Sequence, residues 1–256
     1  MKKRLLHFVT ALTATLTLAG CQVIEDFWAE LEDRTELGEQ ELEGQEQGDD
    51  SASEDSLASA DDMDFVQEVN NNVPEFTAED LRDGEPYEDF TPLDDLGRVG
   101  PAQALIEPQL FPDPDEERES ISHVKPSGWQ SIELDFVDGG WLYNRSHLIG
   151  WQLTGQNDLE ENLLTGTRQF NVEGMLPVEN WVRETVEDGQ PVIYRVTPDF
   201  QGDELVARGL QMEGQSILDE GQTLQFNLYI ANQQDGVVID YATGEAEPEP
   251  EMEDAA

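Results

Sequence analysis

Cysteine and basic residues are scarce in this sequence of 256 residues. The single cysteine, Cys21, excludes a disulfide within the chain. Only 13 residues are Lys or Arg against 58 Asp and Glu, which gives a formal net charge of −45. Such a surface repels nucleic acid, because binders gain affinity by neutralising phosphates with Lys and Arg and releasing counterions. The composition therefore excludes a broad basic binding surface, although it allows a local basic cleft.

The acidic excess extends over the whole chain. Residues 22–85 hold 23 acidic and two basic residues, and residues 86–245 hold 30 acidic and eight basic ones. After residue 20, nine of the ten bases are arginine and Lys125 is the tenth. At about 1 M salt the screening length falls to ~3 Å, so a surface of this kind tolerates its own repulsion there. From acid excess and scarce lysine we hypothesise a salt-rich habitat.

Long apolar runs are also missing, since none reaches the ~20 residues that a membrane-spanning helix needs. The longest run, residues 5–18, follows the basic start Met-Lys-Lys-Arg, which is typical of a secretory signal. It ends in Leu-Ala-Gly-Cys, and this resembles the lipobox of bacterial lipoproteins, in which the cysteine is lipidated. The resemblance implies an anchor at Cys21 on the extracellular face of the membrane, because two acyl chains suffice for stable attachment. The simpler alternative is a secreted protein with an incidental thiol.

Composition divides the remainder into three parts. Residues 21–85 are rich in Glu, Asp, Gln, Gly and Ser, and such a segment cannot bury enough apolar surface to fold. We expect residues 1–20 to be a signal peptide, residues 21–85 an acidic disordered spacer, and residues 86–245 one folded domain. Residues 246–256, which begin with alternating Glu and Pro, are expected to form a disordered acidic tail.

Most apolar segments of the expected domain have the pattern of strands. Alternation over residues 132–136, turn residues at 138–140 and an apolar run at 141–143 predict a hairpin. Further strands are predicted at residues 192–196, 224–230 and 237–239, and one short strand after a loop within residues 96–106.

One segment has a helical pattern instead. From Asn171 to Glu187, apolar residues recur three or four positions apart, and Pro177 marks either a kink or the true start of the helix. A strand pair, then a helix, then more strands predicts an α+β fold with the helix on one face of an antiparallel sheet.

His147 is the strongest candidate for catalysis. His7 lies in the signal segment, so only His123 and His147 remain in the expected mature chain, and we take His123 as structural. His147 ends the polar sequence Asn-Arg-Ser-His directly after an apolar stretch. Histidine titrates near neutral pH and can accept a proton from water. A histidine beside Arg and Asn at a strand end is, however, more often a structural hydrogen-bonding group.

The surrounding residues resemble a known motif. Residues 142–147, Leu-Tyr-Asn-Arg-Ser-His, resemble the Asp-Arg-Gly-His motif of the DNA/RNA non-specific endonucleases, a ββα-metal family. Asn162, Asn171 and Glu179 follow His147 at intervals of fifteen, nine and eight residues, as in that family. Residues 171–177 are similar to Gram-positive members of the DNA-entry type. The resemblance runs from about residue 93 to residue 244.

This resemblance implies a ββα-metal nuclease core that hydrolyses phosphodiester bonds of DNA and RNA. His147 would be the general base, and Asn171 would bind Mg²⁺ (or Mn²⁺) through its amide oxygen. Glu179 would orient metal-bound water, and Asn162 would position the histidine or the substrate. In an α-helix, Asn171 and Glu179 would lie ~80° apart around the axis and ~12 Å apart along it, so both can line one cleft. Taken alone, each asparagine could equally be a turn residue or a helix cap.

The expected basic groups of the cleft are arginines. Arg145 belongs to the motif and its planar fork suits phosphate oxygens. Arg168 and Arg183 are expected to flank the same cleft and bind substrate together with Asn144. The alternative for Arg183 is an ion pair with Glu179 one turn away on the helix.

Two residues depart from the family motif, since Asn144 replaces its Asp and Ser146 its Gly. An uncharged Asn144 leaves open a second function, a surface nucleic-acid-binding lipoprotein whose catalysis is impaired. A purely structural acidic lipoprotein is a third alternative, and four polar residues at family spacing argue against it.

Overall fold

The structure is a computed structural model that describes residues 65–81, 84–116 and 118–250. The expected signal peptide, Cys21, most of the expected spacer and the last six residues lie outside this part of the chain. Within it, none of the helices has both the length and the apolar character needed to cross a membrane.

In the residues that the structure describes, ten β-strands form three antiparallel sheets. The largest has six strands in the order β1-β8-β7-β6-β3-β2, while β4 pairs with β5 and β9 with β10. The strands are β1 (Val66–Glu68), β2 (Tyr87–Phe90), β3 (Ala102–Ile106), β4 (Tyr143–His147), β5 (Leu163–Thr167), β6 (Val192–Asp199), β7 (Gly209–Ser216), β8 (Gln225–Ala231), β9 (Val237–Ile239) and β10 (Ala246–Pro248).

The helices are few and lie on one side of the large sheet. α1 spans Trp151–Thr154 and α2 spans Leu176–Glu187, and a π-helical turn, Phe170–Met175, leads directly into α2. Short 3₁₀ turns occur at Asn70–Asn72, Pro108–Leu110, Asp138–Gly140 and Glu160–Asn162. The apolar stripe of α2, Val178, Val182 and Val186, is fully buried with residues of β6, β7 and β8 in one core. This confirms the predicted α+β fold, with α2 packed against the large sheet.

The predicted hairpin at residues 132–143 is wrong. Residues 132–136 make only an isolated bridge, Glu133 to Trp141, followed by turns. Ile132 and Leu134 pack against Leu142 and Tyr143, but Phe136 is 57% exposed and the pairing does not extend beyond the single bridge. The hairpin of this region is β4 with β5, in which His147 lies opposite Leu163.

The sequence pattern also missed β5 and β7. β5 is buried along its whole length, which removes the alternation that marks a half-exposed strand. β7 contains Gly209 and Gly214, which are not typical of strands, so its sequence pattern is weak. Gly214 is needed because a side chain there would meet the ring of Phe226. The second interpretation of Pro177 is confirmed, because α2 begins with this proline in its first turn.

The folded domain is longer at both ends than the predicted residues 86–245. Phe65 and Val66 are buried in the main core, and β1 pairs with the edge strand β8. At the other end, β10 pairs with β9 although it contains Glu and Pro, since β9 offers a free edge. Composition misplaced both boundaries because a strand of three residues adds too little apolar sequence to be recognised.

Candidate active site

β4 ends at His147, whose ring is oriented by a main-chain carbonyl. The side chain is 7% exposed, and Nε2 lies 2.9 Å from the carbonyl oxygen of Asn157. A carbonyl only accepts hydrogen bonds, so Nε2 must carry the proton and Nδ1 must hold the lone pair. Burial lowers the pKa of His147 to about 4, and the positive charge of Arg118 adds to this shift. At neutral pH the imidazole is therefore uncharged and can accept a proton at Nδ1.

Asn162 holds the main chain that directly follows β4. It is fully buried, its Oδ1 accepts from the Ile149 amide and its Nδ2 donates to the Ile149 carbonyl, both at 2.9 Å. These two bonds hold the chain just after His147. Because no atom of Asn162 reaches solvent, the structure favours the positioning half of its predicted role over contact with substrate.

Glu179 lies directly against this same turn. A Cβ atom built on Gly150 would lie 2.5 Å from Oε2 of Glu179, so the carboxylate packs on the glycine three residues after His147. Glu179 is 8% exposed. Burial raises the pKa of Glu179 to about 8, against the opposing effects of Arg118 and a hydrogen bond from Gln152. The ion pair with Arg183, considered from the sequence, is not formed, because Arg183 pairs with Glu187 at 2.6 Å.

Arg118 is the site residue that the sequence analysis missed. Its charge lowers the pKa of both His147 and Glu179. The side chain is exposed. In the described part of the chain no carboxylate forms an ion pair with it, whereas five other arginines are paired in this way. Its one sequence signal is that it is the only base between Arg98 and Lys125.

Asn171 lies in the π-helical turn that precedes α2. Its carbonyl accepts a hydrogen bond from the amide of Leu176, five residues later, which defines the wider turn. A π turn rotates less per residue than an α turn, so the ~80° offset expected between Asn171 and Glu179 becomes smaller. The side chain of Asn171 is half-buried and makes no hydrogen bond with any described residue. Its amide oxygen is therefore available to a ligand. The smaller angular offset brings Asn171 and Glu179 closer to the same side of the helix.

Arg145 is anchored to the protein. Its Nε donates to the Val124 carbonyl at 2.6 Å and its Nη2 to the Ser122 carbonyl at 2.9 Å. Its guanidinium also stacks on the ring of Trp129, 3.9 Å from the centroid. These contacts hold residues 122–124 against β4, and the structure does not show the guanidinium facing a phosphate site.

Arg168 and Arg183 are both paired with carboxylates. Arg168 binds Asp138 at 3.0 Å, on the strand end that leads to the π-helical turn. Arg183 stacks on Phe111 at 3.6 Å and donates to the Gln152 carbonyl, in addition to its bond with Glu187. Binding of a substrate phosphate by either arginine would compete with these carboxylates.

Neither departure from the family motif disturbs the strand. Asn144 and Ser146 lie on the face of β4 opposite Arg145 and His147, because side chains alternate along a strand. Ser146 is buried against Gly166 and has no positive φ angle, so it replaces glycine without backbone strain. The imidazole donates its hydrogen bond to the Asn157 carbonyl, and the missing charge at Asn144 therefore does not deprive it of a partner.

The donor set fits a hard cation that keeps most of its own water. Across residues 65–81, 84–116 and 118–250, no three His, Cys, Asp or Glu side chains form a metal-binding cluster. Mg²⁺ is commonly bound by one or two protein oxygens and several waters, unlike structural Zn²⁺, which takes four protein ligands. An available amide oxygen at Asn171 and a buried carboxylate at Glu179 match the first pattern.

Comparison with known proteins agrees with this geometry. A model of the DNA/RNA non-specific endonuclease family matches residues 78–217, more than half of the chain. The structure is similar to that of NucA from Streptococcus agalactiae with a magnesium ion bound, at 28% identity and a TM-score of 0.63, over 72% of this chain and 86% of that one. The metal-free form of NucA gives 27% identity and a TM-score of 0.61 over the same shares.

A second nuclease, Sda1 with a bound zinc ion, matches at 28% identity and a TM-score of 0.54, over 62% of this chain and 79% of its own. The family match, the shared fold and the His147 site lead to one conclusion: the chain belongs to the DNA/RNA non-specific endonuclease family and is an endonuclease that hydrolyses nucleic acids.

Proposed function

We propose that this endonuclease cleaves DNA and RNA with one divalent cation and with Nδ1 of His147 as the general base. The observation that carries the proposal is the hydrogen bond from Nε2 to the Asn157 carbonyl. This bond leaves the opposite nitrogen of a neutral ring to take a proton from the attacking water. The low pKa of His147, about 4, keeps the ring in this form at neutral pH.

Asn171 and Glu179 are assigned the roles that involve the cation. Asn171 would hold the cation, which we take to be Mg²⁺ (or Mn²⁺), and Glu179 would orient its water. When bound, such a cation neutralises the scissile phosphate and stabilises the leaving oxygen. The burial of Glu179 supports this, because a nearby cation favours the charged form of a buried carboxyl group.

Arg118 answers the objection raised by the acidic surface. Since its charge is not matched by an ion pair in the described part of the chain, it can meet a substrate phosphate without first losing a carboxylate partner. We assign Arg118 to the scissile phosphate and Arg145 to the support of β4. Substrate contacts by Asn144, Arg168 and Arg183 remain predictions.

We further propose that the enzyme works outside the cell, anchored through lipid on Cys21. The basic start, the short apolar run and Leu-Ala-Gly-Cys support this proposal. Metabolic labelling with a fatty acid in a bacterial host tests it, and Cys21→Ala should abolish both the label and membrane retention.

The catalytic proposal is tested by plasmid nicking with the purified domain. Wild-type protein should nick DNA and cut RNA only when Mg²⁺ or Mn²⁺ is present. The cleavage rate of His147→Ala should be at least 10²-fold lower, which is the lower end of the range for a general base. His123→Ala is the matched control, since His123 is exposed and contacts Asp158 at 3.4 Å. Full activity in His147→Ala would overturn the general-base role. Binding of DNA without metal-dependent cleavage by the wild type would favour an impaired binding protein instead.

A further inference from the structure

We propose that Asn157 is a positioning residue that couples the general base to the phosphate-binding arginine. This inference rests on the proposed function of His147 and Arg118. The main-chain carbonyl of Asn157 orients the imidazole, at 2.9 Å from Nε2. Its side-chain Nδ2 donates to the carbonyl of Glu119 at 3.0 Å, the residue that follows Arg118. One residue thus touches both halves of the site.

The bond to Glu119 is the main restraint on the position of Arg118. Among the described residues, it is the one hydrogen bond that the main chain of residues 118 and 119 receives or donates. The flanking restraints are more distant, at Glu116, which donates to the Asp113 carbonyl, and at Ser122, which accepts from Arg145. Without the Asn157 side chain, the main chain of residues 118 and 119 would keep no hydrogen bond to another described residue.

Asn157 itself sits in a well-anchored loop. Gly155 ends α1 in the left-handed conformation, with φ of +68°, and donates to the Trp151 carbonyl at 2.7 Å. The side chain of Gln156 donates to Glu88 at 2.8 Å, and Asp158 contacts His123 at 3.4 Å. These contacts hold the loop on both sides of Asn157, so the residue can transmit a fixed position to the more exposed Arg118 segment.

Asn157→Ala tests the coupling, because it removes the amide and keeps the carbonyl that orients His147. Losing one hydrogen bond of this kind should lower kcat/KM about fivefold. The loss should appear mainly as a higher KM for oligonucleotides, and the pH profile should not move. Asn157→Leu, which has a similar size and cannot donate to Glu119, should behave in the same way and serves if the alanine variant melts early.

A double-mutant cycle with Arg118→Ala distinguishes coupling from general loosening of the loop. If Asn157 acts through Arg118, adding Asn157→Ala to Arg118→Ala should cause no further loss. Gln156→Ala is the control for loop anchoring, and its effect should multiply with that of Arg118→Ala. Multiplying effects for Asn157→Ala, or wild-type activity in Arg118→Ala, would overturn the proposal. Failure of the general-base mechanism would show separately, as retained activity in His147→Ala.

Discussion

Replacing Gly150 with alanine adds one methyl group against the Glu179 carboxylate. The new Cβ would lie 2.5 Å from Oε2, where ordinary contacts begin at 3.4 Å, so the carboxylate must retreat by about 0.9 Å. Gly150 has φ of −56° and ψ of 144°, a conformation that alanine adopts freely. Any effect therefore comes from the displaced carboxylate and not from backbone strain.

The expected loss is large in activity and small in stability. A misplacement of about 1 Å costs up to ~10²-fold in rate, so we expect kcat/KM to fall between ten- and a hundredfold. Alanine has less conformational entropy than glycine in the unfolded chain, which stabilises the folded protein by about 0.4–1 kcal/mol. This gain offsets much of the strain. The thermal midpoint should consequently stay within a few degrees of the wild type.

A second substitution serves as the matched control. Glu179→Asp shortens the side chain by one methylene, and in the Gly150→Ala background it should recover part of the lost activity. The assay is cleavage of a fluorogenic oligonucleotide across a series of Mg²⁺ concentrations, with unfolding followed in parallel. Wild-type kcat/KM and Mg²⁺ dependence in Gly150→Ala would refute the placement of Glu179 in the site.

Two further predictions concern stability, and a third concerns stability and cleavage rate in salt. The folded pKa of His147 is about 4 against 6.5 unfolded, so its neutral form stabilises the protein above pH 6.5. That contribution, up to about 3 kcal/mol, is lost as the pH falls from 6.5 towards 4, and His147→Gln should flatten this dependence in urea unfolding. Asn162→Ala leaves two buried groups of Ile149 unpaired and should lower the free energy of unfolding by about 3 kcal/mol. Raising KCl from about 0.1 M to about 1 M should increase both thermal midpoint and cleavage rate, because it screens the acidic surface.

Each of these has a clear contrary result. An equally steep acid limb in His147→Gln would show that other groups cause it. A loss below about 1 kcal/mol in Asn162→Ala would mean that water replaces the amide. Stability and activity that are both highest in dilute buffer would contradict the salt-rich habitat. Gln130→Ala, which removes a surface contact to the Thr243 carbonyl, is a control for Asn162→Ala.

The sequence alone determined the elements whose signal is local. Val178, Val182 and Val186 recur at helical spacing and form the buried stripe of α2, and β6, β8 and β9 follow from their apolar patterns. Such periodicities survive because each element buries one defined face. The family spacing from His147 to Glu179 identified the endonuclease family, since it depends only on order along the chain.

How the polar groups meet depends on distant segments that pack together in the fold. Arg118 lies 29 residues before His147 in an acidic loop, and nothing in its spacing marks it as a neighbour of Glu179. Asn157 also belongs to no sequence motif. Its carbonyl is the partner of His147 because the fold places the loop beside β4. Arg145 shows the converse, a motif residue whose donors bond to the main chain of Ser122 and Val124. A side chain's periodicity is set by its own element, whereas its hydrogen-bond partner is set by whichever distant segment packs beside it.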